Sequence, residues 1–314
     1  MKNYTIKTFN DNDAAVWNAF IEEANNATFL FHRDFMTYHS ERFEDFSLMI
    51  YDENALVAVF PANRVGKTIF SHKGLTFGGL VYKKSSNANQ VNLWLTELIL
   101  FLKANQCDKL VIKPIISIYQ KALSFELDTF LIQNGAHLYR KDLNLAINFL
   151  APFAISKSKL KHFKRISNLG LEIKKEQSFD LFWDEVLVPR LLEKHQVAPV
   201  HTKQEMAHLC QKFANNIFQY NVYFESEIVA GITIFISGHV VKSQYGATTT
   251  KGEELRALDF LFINLIQEMQ HQYAFFDMGT VAENNGKSYN KGLLKQKEEL
   301  GCSVYSQDFY TLEI

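Results

Sequence analysis

Short apolar stretches, each closed by a turn, occur along this chain in an order that appears twice. Runs at roughly 47–52, 55–64 and 67–72 are separated by Asp52-Glu53-Asn54 and Val65-Gly66-Lys67. Runs at roughly 217–225, 228–237 and 240–247 are separated by turns near Ser226 and Gly238. Alternation with a period of two, bounded by turn residues, predicts strands. A helix follows each meander, about 88–105 in the first half and 256–271 in the second. Each helix leads to a short apolar strand, Lys109–Lys113 or Ala274–Met278, then to another helix and a last strand at 136–149 or 302–313. The late helix of the first half, near Tyr119–Gln133, carries Phe125 and Phe130 on its apolar face.

Residues 51–74 overlie residues 223–246 at a constant shift of 172, with seven identities in 24 ungapped positions. Hairpin strands followed by a crossover helix to a further strand describe a mixed α/β sheet. The duplication predicts two tandem domains, 1–151 and 152–314. The boundary falls at Ala151-Pro152, where a proline ends the strand Leu143–Leu150.

The last forty residues break the apolar pattern. Tyr273-Ala-Phe-Phe-Asp277 is a short apolar strand ending on a carboxylate, and Asp277 is placed to orient or deprotonate an amine, or to close a turn on Gly279 or Thr280. Beyond it, Tyr289, Leu293, Leu294 and Leu300 form one helical stripe at about 100° per residue, with Lys297 inside it. A cation on a buried face needs a partner. Lys297 reads either as a charge aimed at a developing oxyanion or a phosphate, or as a lysine snorkelling at a helix C-terminus. Gln244 and Tyr245 end a strand and read as cleft wall or as core. Glu283, Tyr289 and Asn290 read as substrate contacts, or as a turn at Asn285-Gly286 with Ser288 capping the helix. In residues 156–170, Lys157, Lys161, Lys164 and Arg165 share one helical face. That face is either solvated or an anion-binding wall.

Composition narrows the function. The chain has 314 residues, 47% hydrophobic, with 27 Phe, 13 Tyr and a net charge of −1. No basic field speaks for DNA, no apolar run reaches the length of a membrane span, and no signal-peptide pattern precedes Asn10-Asp-Asn-Asp13. The three separated cysteines, Cys107, Cys210 and Cys302, suggest reduced thiols and a cytoplasmic protein. No metal is expected, because His195 and His201 match no ligand spacing, and His32 and His39 have no cysteine partner nearby. Thr202 and Glu205 form a capping box. Gly74 to Gly79 lacks the Lys-Ser/Thr of a phosphate loop and reads as a turn.

These motifs resemble a family. Two tandem meander–helix–strand halves are similar to the double acetyltransferase (GNAT) fold of the FemAB/BioF2-like acyltransferases. Phe276-Asp277-Met278-Gly279 resembles the family's aspartate–aromatic–glycine element, and Gln296-Lys297-Glu-Glu-Leu300-Gly301 its C-terminal Phe-Lys-x-x-Phe-Gly. Lys161-His-Phe-Lys-Arg165-Ile resembles the basic helix opening the second domain, and Ala198-Pro-Val-His-Thr202 a recurring bacterial segment. The resemblance implies an N-acyltransferase, with Lys297 and Asp277 catalytic, Gln244, Tyr245, Glu283, Tyr289, Asn290, Lys161 and Arg165 binding substrate, and acyl-CoA as co-substrate. It implies a small-molecule donor and a primary-amine acceptor, such as an amino sugar, a nucleotide sugar or a cell-envelope precursor. The alternatives are a Fem-type aminoacyl-tRNA-dependent ligase and a non-catalytic binding module of the same fold. Two departures stand out. The expected pyrophosphate loop, Thr248–Ala257, has one glycine and two acids, which repel a pyrophosphate. The long helical hairpin of several Fem enzymes is missing, which with the net charge disfavours tRNA.

Overall fold

The computed structural model describes residues 4–121 and 127–314, so Phe125 lies outside the described residues. Two compact units form. Unit 1 comprises Met1–Leu143, Asn284–Lys287 and Tyr305–Ile314, and unit 2 comprises Asn144–Glu283 and Ser288–Val304.

In unit 1, Tyr4–Thr8, Leu48–Asp52 and Ala55–Phe60 pair antiparallel. Asn63–Val65 and Thr68–Phe70 form a second hairpin. The helix Ala88–Ala104 then carries the chain to Lys109–Ile112, which runs parallel to Thr68–Phe70. That helix starts on a reciprocal Asn87–Gln90 capping box. It buries Val91, Trp94, Leu95, Leu98 and Leu102, a three-and-four spacing that makes one apolar stripe. The stripe packs on Leu48, Phe60, Leu110 and Tyr310, and Phe130 of the short helix Leu127–Gln133 packs against the same core.

Unit 2 repeats the order. Glu172–Glu176, Ile217–Phe224, Glu227–Ser237 and Val240–Thr248 form an antiparallel meander. The helix Ala257–Met269 crosses to Phe275–Thr280, which is parallel to Val240–Thr248. The shift of 172 aligns strand starts as well as residues: Ala55 with Glu227, and Thr68 with Val240.

The two halves differ at one aligned position. Pro61 interrupts the first copy between Ala55–Phe60 and Asn63–Val65, and Thr233 occupies the matching place in the unbroken strand Glu227–Ser237. A proline has no N–H for the ladder, so a central strand cannot continue through it. Thr233 instead pairs on both sides, with Gln219 and Tyr245, and its hydroxyl donates to Gln219 Oε1 at 2.7 Å.

The last strands are exchanged. Lys109–Ile112 of unit 1 pairs with Tyr310–Glu313, from the end of the chain. Phe275–Thr280 of unit 2 pairs with residues 144–148, the end of His137–Asn148. Each unit is thus completed by a strand from the other half of the sequence.

Thr233→Pro should reproduce the break in unit 2. It removes a ladder hydrogen bond and leaves Gln219 Oε1 unsatisfied in a fully buried site. The expected loss is about 2–5 kcal/mol of unfolding free energy, read from denaturant titration.

Candidate active site in unit 2

The site begins where two strands part. Val240–Thr248 and Phe275–Thr280 are parallel for three pairs only, Val240↔Phe275, Val241↔Phe276 and Lys242↔Asp277. Both then shift register: one between Thr233 and Ile234, which leaves Gln244 as the extra residue, and one between Asp277 and Gly279, which leaves out Met278. Bulges bend strands and leave backbone groups unpaired. The crevice so opened lies at the carboxyl ends of parallel strands, the usual ligand position in α/β sheets.

Charged groups occupy its base. Asp277 is fully buried. Its Oδ2 accepts from Lys242 Nζ at 3.0 Å, and its Oδ1 accepts from Asn144 Nδ2 and from the Gly279 N–H, both at 2.8 Å. The turn bond to Gly279 and the ion pair coexist, so this carboxylate is a buried counter-ion whose oxygens are already engaged. Gly279 adopts φ +76°, a conformation that glycine takes without strain. That turn presents two carbonyls to Lys297, whose Nζ donates to Gly279 O and Thr280 O, each at 3.0 Å. Lys297 is 7% exposed, so its ammonium points inward rather than snorkelling to solvent. Burial, and secondarily the nearby Lys242 charge, lower its pKa to about 8, while Asp277 partly restores it.

The expected apolar stripe around Lys297 is corrected. The helix is Lys291–Glu299, so Tyr289 precedes it in the short strand Ser288–Tyr289 and is 44% exposed. Leu293 is exposed and Leu294 half-buried, leaving Leu300 as the deeply buried leucine. This inward helical face meets the polar turn at Gly279, which is why Lys297 is buried, as its place in the stripe implied, while Tyr289 and Leu293 are not. Asn290, not Ser288, caps the helix by accepting from the Leu293 N–H at 2.9 Å. Its Nδ2 donates to Glu283 Oε1 at 3.0 Å, which gives both residues a structural role in the turn.

The wall holds Gln244 and Tyr245. The Tyr245 hydroxyl lies 2.5 Å from His201 Nδ1 and accepts from the His201 N–H at 3.3 Å. Its ring packs edge-on against Trp183, whose indole N–H donates to His201 O at 3.2 Å. Burial pushes the Tyr245 hydroxyl up to about 12, so it stays protonated. Gln244 Oε1 is buried and accepts no hydrogen bond from the described residues. Sequence reasoning set His201 aside as lacking metal spacing. Its partner is a tyrosine 44 residues away, which no local spacing reveals. Among the described residues, no group of three or more His, Cys, Asp or Glu side chains is arranged to hold a metal ion.

A cavity of about 540 Å³ adjoins this wall, lined among others by Gly246, Thr248, Arg190, Lys194, Arg256 and Gln296. Here the expected pyrophosphate loop is a helix, Thr250–Glu254, and Thr249 caps it by accepting from the Gly252 N–H at 3.0 Å. Gly252 is a packing glycine, since a Cβ would lie 2.1 Å from Val229 O. The expected repulsion is reduced, because Glu253 pairs with Arg190 and, at 2.8 Å, with Lys194. Arg256 follows in the left-handed region (φ +54°), and Ala257–Met269 starts there without a side-chain cap.

The basic helix is Lys157–Ile166. Lys157, Lys161, Lys164 and Arg165 are exposed, as a solvated face requires. The lysine that sequence reasoning passed over is Lys159, which is 7% exposed and bonds both oxygens of Asp259 at 2.6 Å. With Phe163 stacked on Phe260, centroids 5.7 Å apart, this pair ties the helix to Ala257–Met269 and neutralises an acid lining the cavity.

No protein-family model matches the chain, and no curated protein has a similar sequence. Solved structures do match. FemX superposes with a TM-score of 0.72 at 10% identity, over 99% of this chain and 97% of that one. L-PGS from Bacillus licheniformis gives a TM-score of 0.60 at 14% identity, over 96% of this chain and 91% of that one. A tandem GNAT protein from the clavulanic acid biosynthesis pathway gives 0.54 at 9% identity, over 99% and 98%. The chain has the tandem GNAT fold of the FemAB-like acyltransferases.

Proposed function

We propose that this protein is an N-acyltransferase, with its chemistry in the second half and a primary amine as acceptor. The observation that carries the reading is the Lys297 ammonium, fixed by two carbonyls at the base of the crevice with one N–H beyond those two bonds. A fixed cation in a water-poor site stabilises the oxyanion that forms when an amine attacks an activated carbonyl; with an acyl-CoA the C–N bond forms, the C–S bond breaks, and CoA leaves as the thiol, taking up the proton the amine nitrogen loses. Lys242 and Asp277 hold the turn that positions it. Gln244 Oε1 accepts from the incoming amine or from the donor amide, and Tyr245 lines the wall. Tyr289, Lys161 and Arg165 are exposed and serve the binding of substrate from solvent. The first half, 1–151, takes part in acceptor selection. The acceptor is an amino sugar, a nucleotide sugar or a cell-envelope precursor.

Acyl-CoA is the proposed donor, and Arg190, Lys194 and Arg256 beside the 540 Å³ cavity are the cations for its phosphates. A second reading, an aminoacyl-tRNA donor in the Fem manner, is favoured by the closer superposition on FemX than on the clavulanic acid pathway protein. Among the described residues no helix is long and apolar enough to cross a membrane. Both readings suit a cytoplasmic enzyme that works without a metal.

Acetyl-CoA at a hundred times its Kd should raise the stability by about 2.7 kcal/mol, visible as a higher Tm. Stabilisation by aminoacyl-tRNA alone would select the second reading. No stabilisation or transfer with either donor, with an amine acceptor still bound, would select a binding module.

Lys297→Met keeps the shape and removes the charge. Turnover should fall about 10²–10³-fold, with a smaller change in KM. Full turnover in a folded variant sinks the role.

The same assignment fixes a pH profile. Lys297 is charged below a pKa of about 8, so turnover should be lost as pH rises through that value. Asp277 raises this pKa, so Asp277→Asn should move the alkaline limb to lower pH. A rising limb at lower pH belongs to deprotonation of the acceptor amine; an alkaline limb that Asp277→Asn leaves in place would sink the charged role of Lys297.

A further inference from the structure

The helix Lys157–Ile166 brings two cations beside a third, Arg256, which lines the unit 2 cavity. It is fastened to the helix Ala257–Met269 at two points. Lys159 Nζ bonds both oxygens of Asp259 at 2.6 Å, and Phe163 stacks on Phe260 with ring centres 5.7 Å apart. Both contacts fall in the first turn of Ala257–Met269. The Phe260 N–H donates to Arg256 O at 3.0 Å, so Arg256 stands one turn from the stacked rings. Lys161, His162 and Arg165 flank Phe163 on the other helix. Burial lowers the pKa of His162, and the charges of Arg256, Arg165 and Lys161 lower it further. One ring that feels all three charges marks them as one cluster.

These cations are not spent on the protein. Lys161, Arg165 and Arg256 are exposed, and none of the three side chains has an ion pair or hydrogen bond with another described residue. The two acids that line the cavity are already taken, Asp259 by Lys159 and Glu253 by Arg190 and Lys194. Lys161 and Arg165 stand four residues apart on one helix, where like charges repel and cost stability. The cluster is therefore unfavourable by itself, and a bound anion reverses the sign.

The geometry selects the kind of anion. Guanidinium forks match phosphate oxygens two at a time, and an ammonium adds a point charge. A phosphate monoester carries about −1.5 to −2 near neutral pH, more than a carboxylate or a diester, and so gains most from three cations. CoA carries such a group on the 3′-hydroxyl of the ribose whose 5′ side bears the pyrophosphate. Both anions leave one sugar, so a pyrophosphate at the cavity puts the monoester a few bonds away. Arg256 belongs to the cavity and to the cluster, and stands where the two meet.

We propose that Lys161, Arg165 and Arg256 bind the 3′-phosphate of CoA, so that the donor is preferred over its 3′-dephospho form. The inference rests on acyl-CoA as the donor. It is tested by calorimetric titration of the full chain with CoA and with 3′-dephospho-CoA. CoA should bind ten times or more tightly. In the double variant Lys161→Ala/Arg165→Ala the two affinities should come within about twofold of each other with Tm unchanged, since both side chains are exposed. Lys212→Ala removes an equal charge from the end of the helix Lys203–Lys212 and should leave the preference intact. Equal binding of the two forms by the unaltered protein would overturn the inference and leave the acyl-CoA reading standing. A preference that survives the double variant would also overturn it, by placing the monoester elsewhere. Binding of neither form would end the acyl-CoA reading and the inference with it. A short oligoribonucleotide whose binding needs Lys161 and Arg165, with no preference between the two forms of CoA, would give the cluster to RNA instead.

Discussion

The Asp277 carboxylate organises the second half. It is buried without solvent and holds three groups: Lys242 on the neighbouring strand, Asn144 on the exchanged strand, and the Gly279 N–H two residues on. A buried carboxylate is tolerable only when its oxygens are satisfied in this way, and removing one partner leaves a charge that costs several kcal/mol. The same contacts fix the turn at Gly279, and the turn aims two carbonyls at Lys297. Lys297 therefore depends on Asp277 without bonding to it.

The two halves show how one scaffold gives two kinds of surface. In unit 2 the parallel strands part after Lys242 and Asp277, and bulges at both strands hold them open. In unit 1 the aligned ends are stitched together by Ser71, Lys113 and Gly78. Ser71 aligns with Ser243, so the difference does not come from that residue. It comes from the glycines that follow, which let a loop approach too closely for any side chain. The same pair of parallel strands is thus closed at its carboxyl end in one copy and open in the other.

Charge placement follows local chemistry more than net charge. The chain is nearly neutral, yet Lys159 and Lys297 are buried and Lys242 is half-buried, each against oxygen acceptors. The pattern of exposed lysines on the helix Lys157–Ile166 was legible from spacing. The buried Lys159 was not, because its partner Asp259 lies a hundred residues away. The same holds for His201 and Tyr245.

The sequence by itself determined the elements, their order and the repeat. Alternation and turn residues placed the three-run meander of each half and the strands after the crossover helices, but not the strands Tyr4–Thr8 and Glu172–Glu176 or the break at Pro61, and the shift of 172 matched strand starts in both halves. It also singled out Lys297 and Asp277 as charges among apolar neighbours. Only the tertiary structure decided which partners they have. Periodicity assigned Tyr289 and Leu293 to the same buried stripe as Lys297, and packing against a polar turn kept only the lysine inside. Sequence order gave each half its own last strand, and the sheet exchanged them. An antiparallel strand of alternating pattern fits either edge equally well, so its own residues do not choose. Local sequence fixes what a segment becomes, whereas its partner is fixed by contacts that exist only once the chain has folded.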